Sequence, residues 1–110
     1  MNNKIKLQDI KFDQSGLITT VIQDKNSNQV LMVAWMNRTA LEKTLLSGEV
    51  HFWSRSRNKM WHKGETSGNF LYVMEIYADC DGDTILIKVN PGGPACHTGQ
   101  ISCFYQILEP

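Results

Sequence analysis

Leu71-Tyr72-Val73-Met74-Glu75-Ile76-Tyr77-Ala78, Asp79-Cys80-Asp81-Gly82-Asp83, Thr84-Ile85-Leu86-Ile87-Lys88-Val89 is the stretch on which the fold turns. Two runs rich in β-branched and aromatic residues flank an Asp/Gly cluster. The pattern predicts a hairpin of Leu71–Ala78 with Thr84–Val89. Its tip would carry Cys80 and three carboxylates.

Working outward toward the N-terminus, Leu17–Ile22 and Val30–Met36 read as paired strands around the turn Asp24–Asn28. Thr39 and Glu42 stand in capping-box spacing, Leu41 and Leu45 lie one turn apart, and Gly48 is a stop, so a helix is predicted between Thr39 and Gly48. Val50–Ser54 reads as a strand and Arg55–Asn69 as a polar loop. Residues 1–13 alternate weakly and form an arm. Toward the C-terminus, Pro91–Gly99 is a Pro/Gly loop and Ile101–Leu108 a last strand carrying Cys103. One helix among five to seven hairpin-linked strands predicts a small, antiparallel, strand-rich α+β domain over residues 1–110. Such domains often complete their cores as homodimers.

The totals restrict function. A chain of 110 residues fits one domain, and zero formal net charge gives no global pull toward nucleic acid or membrane. No apolar run approaches the roughly 20 residues of a membrane span. Met1-Asn2-Asn3-Lys4 leads into no signal-peptide core, so the expected location is cytoplasmic. Three cysteines cannot close a disulfide framework; in a reducing compartment they read as metal ligands or free thiols.

Cys80, Cys96 and Cys103 contain no Cys-x-x-Cys knuckle. Three thiolates are one short of a closed structural zinc, which fits a catalytic zinc with a place left for water. His97 could close the site instead, or the cysteines could be small core residues. Asp79, Asp81 and Asp83 suit a hard cation, and extended alternation would set them opposite Cys80. They do not make an EF-hand, since Gly82 and Asn90 fall at the wrong places. A solvated Asp/Gly turn is the alternative. Between Ser54 and Gly68 lie Arg55, Ser56, Arg57, Lys59, Lys63, Thr66 and Ser67 around Trp61. Cations, hydroxyls and glycine amides suit phosphate. RNA, with Trp61 as a stacking surface, and a merely solvated loop are the competing readings.

These pieces together resemble the phosphoribosyl-AMP cyclohydrolase family of histidine biosynthesis. The resemblance runs through Val33-Ala34-Trp35-Met36-Asn37, Phe52-Trp53-Ser54-Arg55-Ser56-Arg57 and Trp61-His62-Lys63-Gly64-Glu65-Thr66-Ser67-Gly68. It continues through Asp79-Cys80-Asp81-Gly82-Asp83, Cys96-His97-Thr98-Gly99 and Ser102-Cys103-Phe104. It implies zinc on Cys80, Cys96 and Cys103, shared across a homodimer, and magnesium on Asp79, Asp81 and Asp83. It implies a substrate whose adenine is ribosylated at N1 and which bears two phosphates. Water activated at the zinc would attack C6 and open the N1–C6 bond, giving the formimino-aminoimidazole carboxamide ribotide. His97 is the candidate proton shuttle. Arg55, Arg57 and Lys63 would hold phosphate, with Ser56, Thr66 and Ser67 as lesser partners. His62 departs from the family motif and receives no role. Because the chain ends soon after Cys103, the single-activity form is expected, without the pyrophosphohydrolase that precedes this step. The rivals are an RNA-binding module with a closed zinc site and a metal-independent interaction domain. The first is disfavoured by the neutral charge and absence of a basic stripe.

Overall fold

A computed structural model describes residues 4–110; the first three residues of the expected arm lie outside the described residues. Within it β1 (Ile18–Asp24) and β2 (Val30–Met36) precede α1 (Arg38–Ser47), followed by β3 (His51–Ser54), β4 (Lys59–His62), β5 (Leu71–Ala78) and β6 (Thr84–Pro91). The arm contains one 3-10 turn at Leu7–Asp9. The hairpin read from Leu71–Val89 is present as β5 and β6, antiparallel with Tyr77 opposite Leu86.

The main sheet has the order β2-β1-β6-β5. β1 pairs antiparallel with β2 but parallel with β6, Val21 opposite Leu86. The domain is therefore α+β and antiparallel-rich, as expected, with one parallel contact. That contact joins strands separated by the whole middle of the chain, so no local turn signal announces it. Alternation sets the core: Ile18, Thr20 and Ile22 of β1 and Ile85, Ile87 and Val89 of β6 are buried on one face. Leu31, Met36, Leu41, Val50, Phe52 and Leu71 close over them. Among the described residues no helix is long and apolar enough to cross a membrane.

Four local readings are corrected. The helix cap is Asn37, whose Oδ1 accepts the Ala40 amide at 2.8 Å, because the helix begins ahead of Thr39. The expected Leu41/Leu45 stripe is replaced by Ala40, Leu41 and Thr44, and Leu45 is half exposed. Thr44 explains the rotation: its hydroxyl donates to Ala40 O at 2.8 Å and accepts the His51 amide at 2.9 Å, locking α1 onto β3. The polar loop Arg55–Asn69 contains β4, which pairs with β3 through Phe52 opposite Trp61. Asn58, with φ 54°, makes the tight turn that releases it. Finally, Ile101–Leu108 is not a strand. Ser102 Oγ donates to Val30 O at 2.7 Å and the Cys103 amide to Leu31 O at 2.7 Å, after which the chain is exposed and unladdered.

Candidate active site

Three loops converge beside the β3–β4 hairpin. The base of that hairpin is tied to β5, since Val50 N donates to Leu71 O at 3.1 Å and Val73 N to Gly48 O at 2.8 Å. Lys63 N then donates to Val50 O at 3.1 Å, fixing the start of the loop after β4. Across from it, the Pro/Gly loop closes on itself: Ala95 N donates to Ile101 O and Cys96 N to Gln100 O, both at 3.1 Å. Between these loops lies a cleft of about 750 Å³. That volume suits a small-molecule ligand, for which about 300–1,000 Å³ is usual.

The cleft gathers most of the expected substrate set. Ser56 and Arg57 reach it from the β3–β4 turn, Thr66 and Ser67 from the next loop, and Cys96 and His97 from the Pro/Gly loop. Lys63 also lines it. Arg55 is outside the lining; its guanidinium lies 3.4 Å from the centre of the Trp35 ring, a cation–π contact. Lys59, one of the cations of the phosphate-suited loop, lines it as well, as do Glu65 and Asn69, to which the sequence gives no role. Asn69 has a signal in Gly93, where a Cβ would stand 2.3 Å from Asn69 Oδ1, so the close approach requires glycine.

The cysteines divide. Cys96 and Cys103 lie against one another, and Lys63 faces both. Thr98 Oγ1 donates to Cys96 Sγ at 3.0 Å, and with the Thr98 backbone amide it holds that thiol below its ordinary range. Desolvation and the neighbouring Cys96 push the Cys103 thiol up. Burial pushes the Lys63 ammonium down, opposed by Cys103 and Cys96. Cys80 sits apart on the β5–β6 tip, exposed, with its thiol on Asp81 Oδ1 at 2.9 Å. That bond and the Asp81 charge push Cys80 up.

Among the described residues, no three His, Cys, Asp or Glu side chains of one chain converge on a point that could hold a metal.

At the tip the turn cancels strict alternation: the Cys80 thiol meets Asp81 Oδ1, so Asp81 does not lie opposite Cys80. Asp79 Oδ1 accepts the Asp83 amide at 3.1 Å and the Thr84 amide at 3.3 Å. Desolvation would raise Asp79, but bonds from Asp83, Thr84 and Gly82 outweigh it and hold the carboxyl below its usual range. Asp83 is pushed up, first by its bond to Asp79. Asp79 thus has a structural task in the turn.

His51 and His62, opposite one another on β3 and β4, stack with ring centres 4.2 Å apart. His62 Nε2 meets Glu49 Oε1 at 2.8 Å. The departure at His62 thus belongs to a stacked pair outside the cleft lining.

Comparison with known proteins bears on this arrangement. The family model described as phosphoribosyl-AMP cyclohydrolase matches residues 32–105, a span that contains the whole cleft and all three cysteines. A phosphoribosyl-AMP cyclohydrolase of Lacticaseibacillus paracasei is 62% identical over 92 residues, covering 84% of each chain. One of Clostridium botulinum is 56% identical over 109 residues, covering 98% of this chain and 99% of that one. A histidine biosynthesis bifunctional protein HisIE of Caldanaerobacter subterraneus is 56% identical over 96% of this chain and 51% of its own length. With the cleft, the paired cysteines and these matches in agreement, the chain belongs to the phosphoribosyl-AMP cyclohydrolase family of enzymes.

Proposed function

We propose that this chain hydrolyses phosphoribosyl-AMP at the N1–C6 bond of its adenine ring, in a cleft completed by zinc and a second copy of the chain. The observation that carries the reading is one cleft holding Arg57, Ser56, Thr66 and Ser67 at one part and Cys96 with His97 at another. Phosphate donors and soft-metal ligands so arranged bring an anionic nucleotide to a hydrolytic centre. The donor chemistry fits zinc. Cys96 and Cys103 supply two adjacent thiols, and the exposed Cys80 supplies the third from another chain. Exposed Tyr72, Met74 and Tyr77 on β5 and Ile101, Phe104 and Ile107 near the C-terminus offer apolar surface for that second copy. Zinc held by three protein ligands lowers the pKa of water to about 7, making hydroxide available at neutral pH.

The chain's own groups do the rest. Arg57, with the hydroxyls of Ser56, Thr66 and Ser67, holds phosphate and so fixes the ring in place. His97, exposed at the cleft, takes a proton from the attacking water and returns it to N1 as the N1–C6 bond breaks. The water oxygen stays on C6 and its second proton passes to the exocyclic nitrogen, so that C6 becomes the carboxamide carbon. Asp79, Asp81 and Asp83 offer the oxygen donors that magnesium takes. A cytoplasmic setting keeps the three cysteines reduced.

Turnover of phosphoribosyl-AMP, followed by absorbance on protein of known zinc content, tests this reading. Activity should vanish with a thiol-competing chelator and return with zinc. Folded, zinc-loaded protein without turnover would overturn it. Arg57→Ala should lower kcat/KM roughly ten- to a hundredfold, mainly through KM, as loss of a charged hydrogen bond predicts. Zinc content should not change; an unaltered KM would remove Arg57 from the phosphate set.

Sharing of the site has its own test. Cys80→Ser and Cys96→Ser chains should each be inactive. Denatured together in equal amounts and refolded, they should regain about a quarter of parental activity, because half the dimers hold one intact site of two. No recovery from well-folded mixed dimers would place the three thiols in one chain.

A further inference from the structure

Lys63 is a buried cation without a carboxylate partner. Its side chain is 8% exposed, and Nζ donates to Ala95 O at 2.6 Å. Ion pairs among the described residues join Lys25 to Glu75 and His62 to Glu49; none involves Lys63. An exposed lysine needs no partner, but an ammonium taken out of water costs several kcal/mol unless an anion faces it. Its acceptor carbonyl belongs to the residue before Cys96, and Lys63 and Cys96 line the same cleft, so the nearby groups that can carry negative charge are the thiols of Cys96 and its neighbour Cys103. This role differs from the phosphate contact expected for Lys63, which lines the same cleft; one of its donors is already given to Ala95 O.

We propose that Lys63 is the counter-cation of the Cys96–Cys103 pair, a positioning residue that offsets the charge of the metal centre and ties the Cys96 loop to the β4 end. The inference rests on the zinc reading of the site. A divalent ion with three thiolates carries one net negative charge, and one ammonium brings the total to zero. A neutral centre can lie partly buried, and it does not repel a substrate bearing two phosphates. The contact with Ala95 O, one residue before Cys96, adds a mechanical link: the same side chain sets both the charge and the place of the thiol.

The test uses the full chain with Lys63→Met, which keeps the apolar stem, and Lys63→Arg, which keeps the charge. Zinc affinity is measured by competition with a chromophoric chelator. Alkylation of Cys96 by iodoacetamide is followed by mass spectrometry on metal-free protein. Lys63→Met should weaken zinc binding roughly ten- to a hundredfold, the usual cost of losing a group that supports a ligand, and should slow alkylation. Lys63→Arg should recover most of both. Parental zinc affinity and alkylation rate in Lys63→Met, with KM raised tenfold or more, would overturn the proposal and make Lys63 a phosphate anchor. If Lys63→Met does not fold, Lys63→Gln replaces it in both measurements, with the same outcomes deciding. If the parent itself binds no zinc, the zinc reading fails, while the alkylation comparison still decides whether Lys63 acts on the thiol.

Discussion

Cys96→Ser should lose its zinc and more than about 10²-fold in kcat/KM, exceeding the 10–100-fold range typical of groups that only support a ligand. The substitution is conservative in every respect except softness. Serine keeps the volume, and its oxygen can still accept the Thr98 hydroxyl that now donates to Sγ at 3.0 Å. The loop remains closed by its backbone bonds to Gln100 and Ile101. Fold and melting temperature should therefore stay near those of metal-free parental protein, while an alcohol far less acidic than a thiol fails as a metal ligand. Metal analysis of purified protein beside a turnover assay decides it. Full zinc content with full turnover would remove the thiol from the mechanism. Zinc retained without turnover would make the metal structural.

Gly64→Ala should destabilise the domain by roughly 2–5 kcal/mol, adding left-handed strain to the overpacking cost. Gly64 is buried at φ +97° beside Lys63. A Cβ there would stand 2.6 Å from the Phe70 nitrogen and 2.7 Å from Asn69 C and Phe70 Cα. Those are backbone atoms, so no rotamer change relieves the clash. The loop that carries Thr66, Ser67 and Asn69 must move, and turnover should fall with stability. For a domain near this size the melting temperature should drop roughly 10 °C or more. Gly99→Ala is the control: φ is +91°, but nothing lies within 4 Å of its Cβ, so only the conformational strain remains. Calorimetry on both variants separates strain from clash. Equal, small losses for the two would mean that the chain does not pass this close to Phe70.

The Leu71–Val89 hairpin, the β1–β2 pair and the Gly48 helix stop were legible because each is a local event. Alternation, turn residues and a C-terminal glycine act within a few residues of one another. Two of the readings that failed depended on distant partners. Ile101–Leu108 has the composition of a strand, yet only one of its amides bonds to β2, at Leu31 O. Leu45 has the spacing of a core residue, but Thr44 binds β3 and turns the helix past it. Strand β4 was masked by its charges, which is how a strand beside an open cleft reads.

At the site, residue identity sets the chemistry available: three thiols, an Asp/Gly turn with three carboxylates, and a loop of cations and hydroxyls. Residue identity suffices for that, because softness, charge and hydrogen-bonding capacity travel with the side chain. Which of these groups meet is a matter of how the chain packs. The packing joined Cys96 to Cys103 and left Cys80 on an exposed tip, and it brought Arg57, Thr66 and Ser67 to His97 while stacking Arg55 on Trp35. It also buried Lys63 beneath the Cys96 loop. Meeting in space depends on strand order and loop closure, above all on β6 returning parallel to β1. No short window of residues encodes that contact, because it is set by the burial of the sheet as a whole.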